Sequence, residues 1–158
     1  MLSDYLAYFI TWTTYGSWLP GDWRGWRKTG EGSKTPQPLL EAWSRDRLLG
    51  EPIILNKVQR EKVEAVCHRH ATIRRWSILT INVRSNHVHL VVNALSHKPQ
   101  AVRDQFKANA TRVLRQEPDP ICTDKIWTRG GDCDLIDNDD ELQRVLAYVV
   151  EGQDHNPH

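Results

Sequence analysis

The sequence predicts an α+β domain with elements in the order β-α-β-β-α-β, followed by one further helix. Three observations carry this. Short runs rich in β-branched and aromatic residues alternate in pattern, two longer segments between them repeat apolar residues at helical spacing, and Arg84-Ser85-Asn86 divides two adjoining runs as a tight hairpin turn would. A length of 158 residues gives one domain with a full core, and 39% apolar against 26% charged residues is the balance of a folded chain, not a disordered one. The whole chain, 1–158, is read as a single domain with a long loop insertion at about 15–55.

Tyr8-Phe9-Ile10-Thr11-Trp12-Thr13-Thr14 reads as the first strand, with Tyr8, Ile10 and Trp12 on one face. Pro20-Gly21 marks a turn beyond it, and Pro36, Pro38 and Pro52 keep the chain loop-like to about Leu55, apart from one helical turn expected near 41–49. A loop of this length in a compact domain is usually functional or mobile. Asn56 caps a helix from Lys57, with Gln59 completing a capping box, and Val63, Val66, Cys67, His70 and Ile73 form its inward stripe. Trp76–Val83 is a second strand, paired through the turn with a third that starts at His87. Pro99 opens the next helix, whose buried stripe is Val102, Phe106, Ala110, Val113 and Leu114. A short strand follows around Cys133–Ile136, and Asp137–Asp140 place acids in the first turn of the last helix, where the helix dipole favours them. Its stripe is Leu142, Val145, Leu146, Val149 and Val150, with Tyr148 pointing well off the stripe's centre. This order is the ferredoxin-like arrangement, a four-stranded antiparallel sheet with two helices on one face and an added C-terminal helix.

Composition bounds the function. A net charge of +1 restricts any nucleic-acid surface to local patches. Cys67, Cys122 and Cys133 are odd in number and form no C-x-x-C pair, which argues against a disulfide framework or a cysteine zinc site and fits a reducing cytoplasm. No apolar run spans a bilayer and no signal-peptide pattern is present, so a cytoplasmic protein without membrane contact is expected.

The chemistry centres on Asn86-His87-Val88-His89-Leu90-Val91-Val92. In a strand His87 and His89 share one face while Val88, Leu90 and Val92 share the other, so two imidazoles stand side by side above a packed core. Such a pair either holds a divalent metal or consists of structural histidines. Four of the seven tryptophans, Trp12, Trp18, Trp23 and Trp26, crowd the first part of the chain. Trp18, Trp23 and Trp26 lie among Arg24, Arg27 and Lys28, a mixture that either stacks unpaired bases and meets phosphates or packs the loop onto the domain. Arg103, Lys107, Arg112 and Arg115 flank the second helix, where they meet phosphates or form a solvated face.

The histidine strand in this element order, with a tyrosine on a late helix, resembles the HUH single-tyrosine transposases, which include insertion-sequence enzymes and REP-associated relatives. Tyr8-Phe9-Ile10-Thr11-Trp12-Thr13-Thr14-Tyr15-Gly16, Trp18-Leu19-Pro20-Gly21-Asp22, Phe106-Lys107, Trp127 and Tyr148-Val149-Val150-Glu151-Gly152-Gln153 extend the resemblance over roughly Tyr8 to Gln153. It implies a metal-dependent enzyme that cuts and rejoins single-stranded DNA through a 5′-phosphotyrosine link, with hairpin DNA ends as partner. Tyr148 would be the nucleophile, and His87 and His89 would be ligands to Mg²⁺ or Mn²⁺. The family's third ligand usually lies about one turn after the tyrosine. Here Gly152 occupies that turn, which leaves Gln153 as the third ligand and Glu151 as the next choice. Arg103, Lys107 and Arg112 would then contact the backbone of a folded hairpin. The alternatives are a domesticated relative that binds hairpin DNA without moving it, and a metal-free structural module; monomer and homodimer both remain open.

Overall fold

The structure is a computed structural model that describes residues 6–17, 52–94 and 96–150. Strand β1 (Ala7–Thr13) is followed by helix α1 (Lys57–Arg74), the hairpin β2 (Ser77–Val83) and β3 (His87–Asn93), helix α2 (Pro99–Leu114), strand β4 (Asp132–Ile136) and helix α3 (Asp139–Val150). The four strands form one sheet in the order β2-β3-β1-β4, and every pairing is antiparallel. This is the ferredoxin-like α+β arrangement with the added C-terminal helix.

The period-two alternation of the strands separates two apolar layers. Tyr8, Ile10 and Trp12 of β1 and Val88, Leu90 and Val92 of β3 face α1 and α2, where Val63, Cys67, Val102, Phe106 and Ala110 complete the larger core. The opposite face carries Ala7, Phe9, Val91 and Ile136 under Val145 and Val149 of α3. One sheet thus serves two unlike purposes: a closed core below, and above it a smaller apolar patch that seats a single helix.

Local signals set most boundaries. Asn56 Oδ1 accepts the Gln59 N–H at 2.8 Å while Gln59 Oε1 accepts the Asn56 N–H at 2.9 Å, the reciprocal capping box. Helix α1 stops where Arg75 enters the left-handed region at φ 62°, and Ile73, counted on the inward stripe, is 66% exposed just before that stop. The last inward residue of the helix is Ala71, which is buried and whose carbonyl accepts Trp76 N–H at 2.8 Å. Asn138 caps α3 by accepting the Glu141 N–H at 2.8 Å. On α3 the buried stripe is narrower than periodicity implies: Val145 and Val149 are fully buried, Leu142, Leu146 and Tyr148 flank them, and Val150 is 54% exposed.

The helical turn expected near 41–49 lies outside the described residues. Both ends of the long connection that contains it are described, and both meet the rim formed by the β2–β3 turn. Thr14 donates its N–H to Asn86 O at 2.9 Å, Ile53 donates to Tyr15 O at 3.1 Å, and Leu55 donates to Ser85 O at 2.7 Å. No helix among the described residues is long and apolar enough to cross a membrane.

Candidate functional site

His87 opens β3 immediately after the two-residue tip Ser85-Asn86, a turn closed by Arg84 N–H on His87 O at 2.8 Å. The alternation then places His87 and His89 on the α3 side of the sheet, with ring centroids 4.7 Å apart and planes inclined at 64°. Both are buried, at 5% and 1% exposure, on the face that also carries the apolar patch under α3. Buried imidazoles need hydrogen-bonding or ligand partners at their nitrogens.

Each ring has a partner at Nδ1. His87 Nδ1 lies 2.7 Å from Asn86 Oδ1, and His89 Nδ1 lies 2.7 Å from Thr11 Oγ1, the residue directly opposite it on β1. An amide oxygen only accepts, so His87 donates from Nδ1 and carries its lone pair on Nε2. That is the form in which a neutral imidazole binds a metal while its other nitrogen is held in place. The donor set therefore fits a divalent cation, and nitrogen ligands favour Mn²⁺ over Mg²⁺. Among the described residues no group of three or more His, Cys, Asp or Glu side chains is placed to hold a metal.

Helix α3 brings Tyr148 to the same place. Its ring is 5.4 Å from that of His89 and 6.2 Å from that of Phe9, while Phe9 lies 5.5 Å from His89. The tyrosine is neither core nor turned fully outward: it is half-buried on the flank of the stripe, over the histidine face. The seat of the helix is fixed by Val145 and Val149 in the apolar patch and by Asn82 Nδ2 of β2, which donates to Val149 O at 2.9 Å.

The other expected site residues divide into two groups. Trp18, Trp23, Arg24, Trp26, Arg27, Glu151 and Gln153 lie outside the described residues. Arg103, Lys107 and Arg112 sit on α2, which packs on the sheet face opposite the histidines. Arg103 Nη1 donates to Gly131 O at 3.1 Å, and Lys107 Nζ donates to Thr128 O at 2.9 Å and Gly130 O at 2.7 Å. Burial, with Arg103 next to it, holds the Lys107 ammonium below its ordinary range. Arg115 likewise donates to the carbonyls of Ile121, Thr123 and Asp124. These cations tie down the α2–β4 connection, whereas Arg112 is exposed and donates to Asn109 Oδ1 of its own helix at 3.0 Å.

Sequence reasoning gave no role to Thr11, Asn86 or Asn82. Thr11 left a trace, a hydroxyl between Ile10 and Trp12 on the strand face that alternation assigns away from the main core. Asn86 was visible only as part of the motif.

A family model described as "Transposase IS200 like" matches residues 51–152. No curated protein matches the chain. A solved structure of a REP-associated tyrosine transposase bound to a REP hairpin superimposes with a TM-score of 0.58 at 11% identity, covering 99% of this chain and 72% of that one. At that identity the likeness is one of fold. The family match spans α1, the histidine hairpin, α2, β4 and the tyrosine helix, and so includes both histidines and Tyr148. The chain belongs to the IS200-like transposase family.

Proposed function

We propose that the protein is a single-stranded DNA transposase and endonuclease that cuts and rejoins hairpin-bearing DNA through a phosphotyrosine intermediate on Tyr148. The observation that carries this reading is the Tyr148 ring 5.4 Å from His89, whose own ring is 4.7 Å from His87.

A phenol ionises near pH 10 and is a weak nucleophile at neutral pH, so its attack on a phosphodiester needs charge stabilisation close by. A Mg²⁺ or Mn²⁺ ion, held by His87 and His89 with Gln153 as third ligand and Glu151 as the next choice, would neutralise the phosphate oxygens. Tyr148 supplies the oxygen. Its Oη–P bond forms as the P–O3′ bond breaks, and the proton lost by the phenol is balanced by the one gained at the departing 3′-oxygen. The bond energy stays in the phosphotyrosine, so a 3′-hydroxyl can reverse the step and reseal a strand without ATP.

DNA binding is assigned to the segment carrying Trp18, Trp23, Arg24, Trp26 and Arg27. Its roots support this, since both described ends are bonded at the Ser85-Asn86 rim beside His87. Aromatic rings with interspersed arginines suit unpaired bases and their phosphates. Of the helix cations, Arg112 is the one best placed for a phosphate, because Arg103 and Lys107 already hold loop carbonyls.

The test is incubation with a single-stranded hairpin oligonucleotide and Mn²⁺ or Mg²⁺, followed by denaturing electrophoresis. A covalent adduct that forms in the wild type and vanishes in Tyr148→Phe supports the enzyme. Tight hairpin binding with no adduct in either protein supports a binding protein without strand transfer.

A further inference from the structure

The two Nδ1 contacts beneath the histidine pair differ chemically. At His87 the acceptor is an amide oxygen, which dictates the direction of the bond. At His89 the partner is a hydroxyl, which can give or take a proton. We infer that Thr11 and Asn86 are positioning residues that hold both imidazoles protonated at Nδ1, so that both Nε2 lone pairs serve one metal ion. The inference deepens the proposed function and rests on its metal-dependent reading.

Three features support it. Thr11 is 2% exposed and stands in direct register with His89, so its hydroxyl has few alternatives to the 2.7 Å contact. Asn86 is itself held: its carbonyl accepts Thr14 N–H at 2.9 Å and Thr14 Oγ1 at 3.3 Å, which fixes the turn from which its side chain reaches the adjacent ring. The rings also sit too close for independent orientation at 4.7 Å, so a tautomer change in one would aim an N–H where the shared cation belongs. Strand β1 and the residue that follows it therefore set the orientation of both ligands, directly through Thr11 and indirectly through Thr14 and Asn86.

The consequence is separable from folding. Valine at position 11 matches the shape of threonine and suits a strand, but it removes the oxygen. The tautomer of each ring in the metal-free, full-length protein can be read from ¹⁵N shifts of the imidazole nitrogens at about pH 8, above the ordinary imidazole range. The wild type is expected to show Nδ1–H and an unprotonated Nε2 at both His87 and His89. Thr11→Val should shift His89 toward the Nε2–H form and leave His87 unchanged, Asn86→Ala should do the converse, and Thr11→Ser should restore the wild-type pattern. Mn²⁺ affinity should fall by roughly 10- to 100-fold in Thr11→Val and recover in Thr11→Ser. Thr11→Ala serves as the second variant should the valine form fail to fold. Wild-type rings protonated at Nε2, or a Thr11→Val protein with an unchanged His89 tautomer and unchanged Mn²⁺ affinity, overturns the inference. If the tautomers are as stated but added Mn²⁺ leaves both ring resonances unbroadened, the metal reading falls and the tautomer assignment stands.

Discussion

The ring of Tyr148 stands 5.4 Å from that of His89, and Phe9 of the neighbouring strand touches both, at 6.2 Å and 5.5 Å between centroids. A fully buried phenylalanine thus packs against both the proposed nucleophile and one of the proposed ligands. The same side chain belongs to the patch that seats α3, so packing and chemistry meet at one residue.

Phe9→Ala is therefore expected to cost about 3–5 kcal/mol of stability, read from urea denaturation. Phe9→Leu keeps most of the volume and should cost only on the order of 1 kcal/mol. It should nevertheless slow adduct formation roughly tenfold or more, because the tyrosine helix is reseated relative to His89. A leucine variant with wild-type adduct kinetics would show that Phe9 packs the patch without setting the geometry.

The adjoining glycines make a sharper contrast. Gly131 adopts φ +133°, and a Cβ there would lie 2.6 Å from Thr11 O and 3.2 Å from Trp12 Cβ. Gly130 adopts φ +80° with nothing within 4 Å of a built Cβ. Gly130→Ala should cost about 1–2 kcal/mol, the steric penalty of the left-handed conformation alone. Gly131→Ala should cost roughly 3 kcal/mol or more, since it adds a backbone clash against the strand that carries Thr11. The difference between the two urea midpoints is the measurement.

Much of this was legible in the sequence, and the parts that were not share a cause. The two faces of β3 followed from alternation, and the start of α1 followed from Asn56 and Gln59, because both signals are local. The link between Thr11 and His89 spans 78 positions and depends on strand register, which periodicity does not encode. Arg103 and Lys107 looked like a phosphate-binding flank, yet long side chains also reach carbonyls of an irregular connection, here Gly130 and Gly131. Tyr148 lies off the centre of the full apolar stripe, but only Val145 and Val149 are fully buried, with Leu142 and Leu146 partly so and Val150 exposed, and relative to that narrower buried centre the tyrosine is on the flank.

Cys67 gives a pH-dependent signature. Burial, with Glu64 adding repulsion, pushes its thiol up to about 12. In the unfolded chain a thiol ionises at roughly 8.5, so above that pH the unfolded state sheds a proton that the folded state keeps. Stability from this group is full below the unfolded value and is lost as pH rises toward the folded one, by about 2 kcal/mol at pH 10. Cys67→Val should flatten that alkaline decline, as measured by urea titrations across the range. In the native protein a thiol reagent should label exposed Cys122 and spare Cys67 until denaturant is added.

The most direct measurement is the identity of the residue joined to DNA. The chain has four tyrosines, and cleavage by trypsin after Arg144 releases a peptide starting at Val145 in which Tyr148 is the sole tyrosine. After reaction with hairpin DNA and nuclease trimming, mass spectrometry should find the residual nucleotide on Tyr148 in that peptide, and nowhere in a Tyr148→Phe digest. A nucleotide on Tyr8 or Tyr15, or an adduct that persists in Tyr148→Phe, would contradict the account.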